Sequence, residues 1–209
     1  RYYLKRGKTV EEQIGAIEDE RDAIKKASSV AELMGAEGRV RERYYSSFGA
    51  ILRKGFQLVE RVRNPPDNMI NCLISFGNSL MYATVLTEIY HTQLTPTVSF
   101  LHEPGERRYS LSLDLSEVFK PVIVDRVIFN LVNNRLIKDG HFHEELNGCY
   151  LNDQGRRVVL KEYDEKLRTT IRHAKLGRHV SYQRLIRLEC YKLVRHILGE
   201  SSYNGFRQG

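Results

Sequence analysis

Apolar residues fall at helical spacing over most of this chain. Thr9 and Glu12, three apart, have the form of a capping box and predict a helix to about Lys26. Ser29 and Glu32 form a second box. The spacing of Leu33, Val40, Tyr44, Phe48 and Ile51 carries that second helix on to about Val62. Pro65-Pro66 interrupts the pattern, with Asn64 and Asp67 as turn or cap residues. From 67 to about 90 apolar side chains cover most of a helix, so this element should lie buried at the centre. Thr95-Pro96 ends it, and 98–102 reads as a short extended segment before a loop at 103–106. A helical stretch from about 110 to 137 is expected to bend at Pro121. Segments 142–151 and 156–160, joined by 152–155, read as a small β-hairpin. Two basic helices follow at about 162–175 and 182–198, the second capped by Ser181. The fold class is mainly α, with one small hairpin inserted near 142–160.

Three places break the apolar pattern with chemistry. Glu37 lies on the stripe of the second helix, four after Leu33 and three before Val40. A carboxylate facing a core requires a cation, a metal or hydrogen bonds. Gly35 and Gly38 flank it, each disfavoured by about 1 kcal/mol against Ala inside a helix. A close approach to the backbone and a buried ion pair with an arginine both fit this pattern. Next, Asn68, Asn71, Ser75 and Asn78 share one face of the apolar helix. Such a row can support ligands from behind or can serve hydrogen bonding between helices. Last, Asp114 and Glu117 are neighbours on a helical face, with His102 upstream. With Glu37 they offer an imidazole and up to three carboxylates, a donor set suited to Mg²⁺ or Mn²⁺. His141, His143, Glu144 and Glu145 form a rival cluster, whose polar context also fits a solvated strand end. No serine elbow and no glycine-rich phosphate cradle is present.

Charge narrows the class of partner. The 33 basic and 26 acidic residues give +7, unevenly spread. Residues 1–60 carry 12 basic and 10 acidic groups, 61–130 carry 6 and 7, and 131–209 carry 15 and 9. A basic C-terminal third suits a polyanion such as a nucleic-acid backbone. Arg168, Arg172 and Lys175 recur on one helical face, as do Arg184, Arg187, Tyr191 and Arg195. The three cysteines (Cys72, Cys149, Cys190) are too few and too scattered for a disulfide framework, so a reducing cytoplasm is expected. No apolar run is expected to cross a bilayer, and no membrane partner is expected. The chain starts at Arg1 without an initiator Met, which suggests that an N-terminal portion precedes it.

These residues carry a family resemblance. The run NPPDNMINCLISFGNSL at 64–80 is similar to the signature helix of the CRISPR adaptation integrase, the endonuclease that inserts new spacers into a CRISPR array. FLHE at 100–103 and LDLSEVFKP at 113–121 resemble its next two motifs, and GAEG at 35–38 the one before. The resemblance implies that 9–209 is a helical, metal-dependent catalytic domain. Residues 1–8 would be a residual interdomain linker from a β-sandwich that is otherwise absent. It implies Mn²⁺ or Mg²⁺ at Glu37, His102 and Glu117, with Asp114 beside them as a fourth catalytic residue and Asn71, Ser75 and Asn78 behind. Many members have Tyr at the position of Asn78, so no tyrosine role is carried over. DNA contacts are expected at Arg41, Arg107, Arg108, Lys120, Arg168, Arg172, Lys175, Arg178, Arg184 and Arg187. The implied partners are double-stranded DNA (protospacer and CRISPR repeat), a second copy in a homodimer, and a small second adaptation subunit. The implied reaction is strand transfer by transesterification. A metal-free helical DNA-binding module is the competing reading.

Overall fold

The computed structural model describes residues 3–101, 109–145, 148–173 and 176–207. His102, Arg107, Arg108 and Lys175 lie outside the described residues. Helix α1 spans Glu11–Lys26, α2 Val30–Ser46 and α3 Phe48–Ile51. They are followed by α4 Met69–Tyr90, α5 Ser110–Phe119 and α6 Val124–Asn133. Strands β1 Phe142–Glu145 and β2 Gly148–Leu151 lead into α7 Asp153–Arg168; β3 Thr170–Arg172 and β4 His179–Ser181 lead into α8 Tyr182–Ile197. The fold is mainly α, as expected.

Helix α4 is the axis of the core. Ile70, Leu73, Ile74, Met81, Val85 and Ile89 are almost wholly buried, and α5, α6 and α8 pack around them. Its N-cap is Asn68, whose side chain accepts from the Asn71 N–H at 2.9 Å. Gly77 permits the close crossing of α6, since a Cβ there would stand 2.6 Å from Val124 Cγ1. One expectation is corrected here. By length and composition alone α4 could cross a membrane; in this fold α5, α6 and α8 pack against it and bury one side of it.

Several boundaries differ from the pattern, each for a local reason. Thr9 makes no cap; α1 begins after Val10, which has no side-chain cap bond. Helix α2 stops at Ser46 rather than near Val62. The Ser46 and Ser47 hydroxyls donate back to the Arg43 and Tyr44 carbonyls at 2.7 and 2.6 Å, a bond that competes with helix continuation. Beyond α3, Gly55 takes a left-handed φ of 95°, and 52–68 runs irregularly to α4. No strand forms at 98–101. The stretch beyond Ser110 breaks into α5 and α6 around Pro121, as the proline requires.

The expected hairpin is replaced by a shorter one. β1 pairs antiparallel with β2 in the register Phe142↔Leu151 through Glu145↔Gly148. Asn152 is an N-cap, its side chain accepting from Gly155 N–H at 2.9 Å, so 156–160 is helix. Val159, Tyr163 and Leu167, four apart, are its buried face. The first basic helix therefore ends at Arg168, and β3 and β4 form a second hairpin, Thr170↔Ser181 through Arg172↔His179.

Candidate metal and nucleic-acid site

A polar cavity of about 530 Å³ opens where α2, α4, α5 and the irregular segment before α4 meet. Its wall includes Arg41 from α2, Arg61 and Arg63, Ser75 and Asn78 from α4, and Glu117 and Lys120 from α5. Two of the expected carboxylates converge at its edge. Arg41 Nη2 donates to Glu37 Oε1 and, at 2.7 Å, to Glu117 Oε2. Lys120 Nζ pairs with the other Glu117 oxygen. One cationic nitrogen thus holds carboxylates from two helices.

Glu37 is not core-facing. Its side chain is 30% exposed and that of Glu117 24%, because this face of α2 borders the cavity, through Arg41, instead of the core. The arginine ion pair weighed from sequence is present, but it is partly solvated. Arg41, expected on DNA, sits inside this network. Gly35 and Gly38 are exposed, and no backbone approaches them closely.

Asp114 does a different job from Glu117. It is buried, and its Oδ2 accepts from the Phe100 and Leu101 N–H groups at 2.9 and 3.1 Å. Leu111 N–H also donates to Pro96 O at 3.0 Å. The chain directly before His102 is thereby fastened to α5, one turn from Glu117.

The polar row on α4 has a partner that the linear pattern missed. Asn71 Nδ2 donates to Glu60 O and Asp67 Oδ1 at 2.9 and 2.7 Å. Asn71 Oδ1 and Ser75 Oγ accept from Arg61 Nη1 and Nη2 at 3.0 and 2.9 Å. Arg61 therefore stands in the cavity wall, and burial lowers its pKa below the usual arginine value. Tyr45 lies beside it, with its hydroxyl pKa raised by burial. Asn78 lines the cavity. Behind α5, Asp125 is buried and accepts from the Tyr44 hydroxyl at 2.9 Å; burial raises its carboxyl to about 7.

The basic C-terminal third divides. Arg172, Arg178 and Arg184 are exposed, and Arg168 is exposed while paired to Asp164 at 2.7 Å. Arg187 Nε donates at 2.6 Å to Glu88, whose side chain is 1% exposed, tying α8 to α4 while Arg187 itself stays 26% exposed. In the rival cluster, His141 is buried with Nδ1 accepting from Lys138 N–H, while His143 meets Glu145 near the surface. Among the described residues no three His, Cys, Asp or Glu side chains converge, and His102 is not among them.

Comparison with known proteins decides the family. The family described as "CRISPR associated protein Cas1" matches residues 1–165. The chain belongs to the Cas1 family. A curated Cas1 protein from Methanobrevibacter ruminantium is 58% identical over 183 residues, 88% of this chain and 57% of its own length. One from Thermodesulfovibrio yellowstonii, named a CRISPR-associated endonuclease Cas1, is 51% identical over 204 residues, 98% of this chain and 63% of its own. The chain thus spans about three fifths of these Cas1 relatives. A solved Cas1 structure from Thermotoga maritima superposes with a TM-score of 0.83 at 43% identity, covering 91% of this chain and 60% of that one. A casposase bound to integration product gives 0.81 at 25% identity, covering 88% and 55%.

Proposed function

We propose that this chain carries the metal-dependent catalytic site of a CRISPR adaptation integrase, which transfers protospacer DNA into the CRISPR repeat array. The observation that carries this reading is the single Arg41 nitrogen bound by both Glu37 and Glu117. Two carboxylates gathered on one positive atom form a position suited to a divalent cation, with His102 as the third donor by its motif. Asp114 supports this by fixing the segment that leads into His102. When bound there, Mn²⁺ or Mg²⁺ would polarise a phosphodiester and favour an oxygen nucleophile, a DNA 3′-hydroxyl in strand transfer or water in hydrolysis.

The chain's own residues supply the rest. Lys120, at the cavity wall, neutralises phosphate charge, since phosphoryl transfer needs positioning and electrostatics more than covalent help. The exposed Arg172, Arg178 and Arg184 extend a basic surface for duplex DNA. The casposase likeness supports DNA integration as the reaction class. A second copy of the chain and a small second adaptation subunit are the proposed protein partners, in the cytoplasm.

Glu37→Ala and His102→Ala should each abolish Mn²⁺-dependent strand transfer by the purified protein while duplex DNA binding persists. Strand transfer at the wild-type rate in either variant would overturn the assignment.

A further inference from the structure

Arg61 is built into the cavity wall in a manner that a free surface arginine is not. It lies in the irregular segment before α4, yet three acceptors fix its guanidinium: Val62 O and Asn71 Oδ1 on Nη1, and Ser75 Oγ on Nη2. Asn71 is itself fully buried and anchored by Glu60 O and Asp67 Oδ1. A guanidinium has five N–H groups. These acceptors use three and the Tyr45 hydroxyl is a fourth partner, which leaves one N–H for a charge-assisted bond to a phosphate oxygen.

The surroundings favour an anion there. Arg61 shares the cavity with Arg41, Arg63 and Lys120, against Glu117. Arg41 and Lys120 are already engaged with carboxylates. The hydrogen-bond partners of Arg61, the Tyr45 hydroxyl included, are neutral oxygens, so its charge is oriented by them and only partly offset by nearby Asp67.

We propose that Arg61, oriented by Asn71 and Ser75, is a phosphate-binding residue of this cavity and receives the DNA phosphodiester beside the Glu37–Glu117 cluster. This deepens the integrase reading and rests on it. Preorganisation is the point: a guanidinium whose rotamer is already fixed loses little freedom when the phosphate arrives.

The test uses the purified protein and a short duplex with a recessed 3′ end, followed by fluorescence anisotropy across a salt series. Arg61→Gln should weaken binding roughly ten-fold, as for one charge-assisted contact, and lower the log–log salt slope by about one. Arg61→Lys should restore the slope but only part of the affinity, because the charge returns without the fixed guanidinium orientation. Ser75→Ala, at a half-buried position, should give a smaller loss with the slope intact. Thermal unfolding of each variant separates a latch for the segment from a phosphate contact. If Arg61→Gln melts earlier but keeps the wild-type affinity and slope, Arg61 is structural and the proposal fails.

A second arm reads strand transfer on DNA with a neutral methylphosphonate at the reacting position. There the difference between wild type and Arg61→Gln should vanish; an undiminished difference overturns the contact. Should the wild type bind DNA yet show no Mn²⁺-dependent strand transfer, the integrase reading fails while the binding series still decides Arg61. A wild type that does not bind DNA overturns the phosphate contact.

Discussion

Glu88 and Glu37 are both acids paired to arginine from helices of the same fold, yet they serve opposite ends. Glu88 is sealed between α4 and α8, with Arg187 Nε at 2.6 Å and Gln183 Nε2 at 3.0 Å. Glu189 is its counterpart further along α8, buried and satisfied by Lys192, by the Tyr203 hydroxyl and by Phe206 N–H. Glu37 and Glu117 are each about a quarter to a third exposed and share one arginine at the edge of a cavity. Glu88 itself is shut off from water while Arg187 keeps 26% exposure, so the acid is the scaffold end of that pair. In the second pair both acids are open to solvent, so another cation can take the place of Arg41 at smaller cost. Residue type alone does not separate the two; burial of the acid does.

The largest effect should come from breaking the sealed pair. Arg187→Ala leaves Glu88 buried with its charge no longer paired to Arg187, which should cost about 3–5 kcal/mol of stability in denaturant unfolding. The salt slope of DNA binding should not change in the folded fraction. A slope lowered by one would return Arg187 to the DNA surface and erase the contrast.

Asp125 tests a third arrangement, a buried acid bonded to a hydroxyl instead of paired with a cation. Burial raises its carboxyl to about 7, well above the ordinary carboxylate range. A raised folded-state pKa means the native state binds this proton more tightly than the unfolded chain. Its contribution is therefore complete below about pH 4 and is lost as pH rises towards 7. Asp125→Asn keeps an acceptor for Tyr44 and removes the proton, so the fall in stability between pH 4 and 7 should flatten. An unchanged pH profile in thermal melts would show that Asp125 is ionised in the folded protein.

How much of this could be read along the chain follows the same division. Helix α4 was legible because apolar residues surround it, and its N-cap and polar row are local in sequence. The motif positions of Glu37 and Glu117 were legible too, but not their exposure. The periodic stripe through Glu37 does form a helix face, but Leu33, Val40 and Tyr44 on it are only half-buried, because that face borders the cavity. The ion pair of Arg187 was hidden for a different reason: the buried acid that it meets lies 99 residues away. Arg61 left no periodic signal, since the carbonyl, amide and hydroxyl that orient it meet only when the irregular segment folds back on α4. Strand β3 was absorbed into the helix expected to run to about 175, and β4 fell in the gap after it; the local sign of the hairpin was Gly177, which takes a φ of 65° in the turn.

A smaller effect is expected at the tail. The Tyr203 hydroxyl donates to Glu189 Oε1 at 2.7 Å, and Phe206 stacks on Phe119 at the end of α5 with centroids 5.6 Å apart. Tyr203→Phe removes one donor from a buried carboxylate that keeps two others. A loss of about 1–2 kcal/mol in denaturant unfolding is expected, with Mn²⁺ affinity unchanged. A loss below the error of the measurement would mean that Lys192 and Phe206 N–H satisfy Glu189 without it.

The smallest stability effect, and the sharpest test of the contrast, belongs to Glu117→Gln. Its partners Arg41 and Lys120 are 28% and 18% exposed, so water can take up the donors released by the lost charge. Stability should change by no more than about 1 kcal/mol. Mn²⁺ binding followed by calorimetry should nevertheless be lost, because a neutral amide is a much weaker donor to a hard cation than a carboxylate. Retained Mn²⁺ affinity would remove Glu117 from the ligand set, and a large loss of stability would move the pair into the scaffold class of Glu88. Only the combination of an intact fold and absent metal binding keeps the two kinds of ion pair distinct.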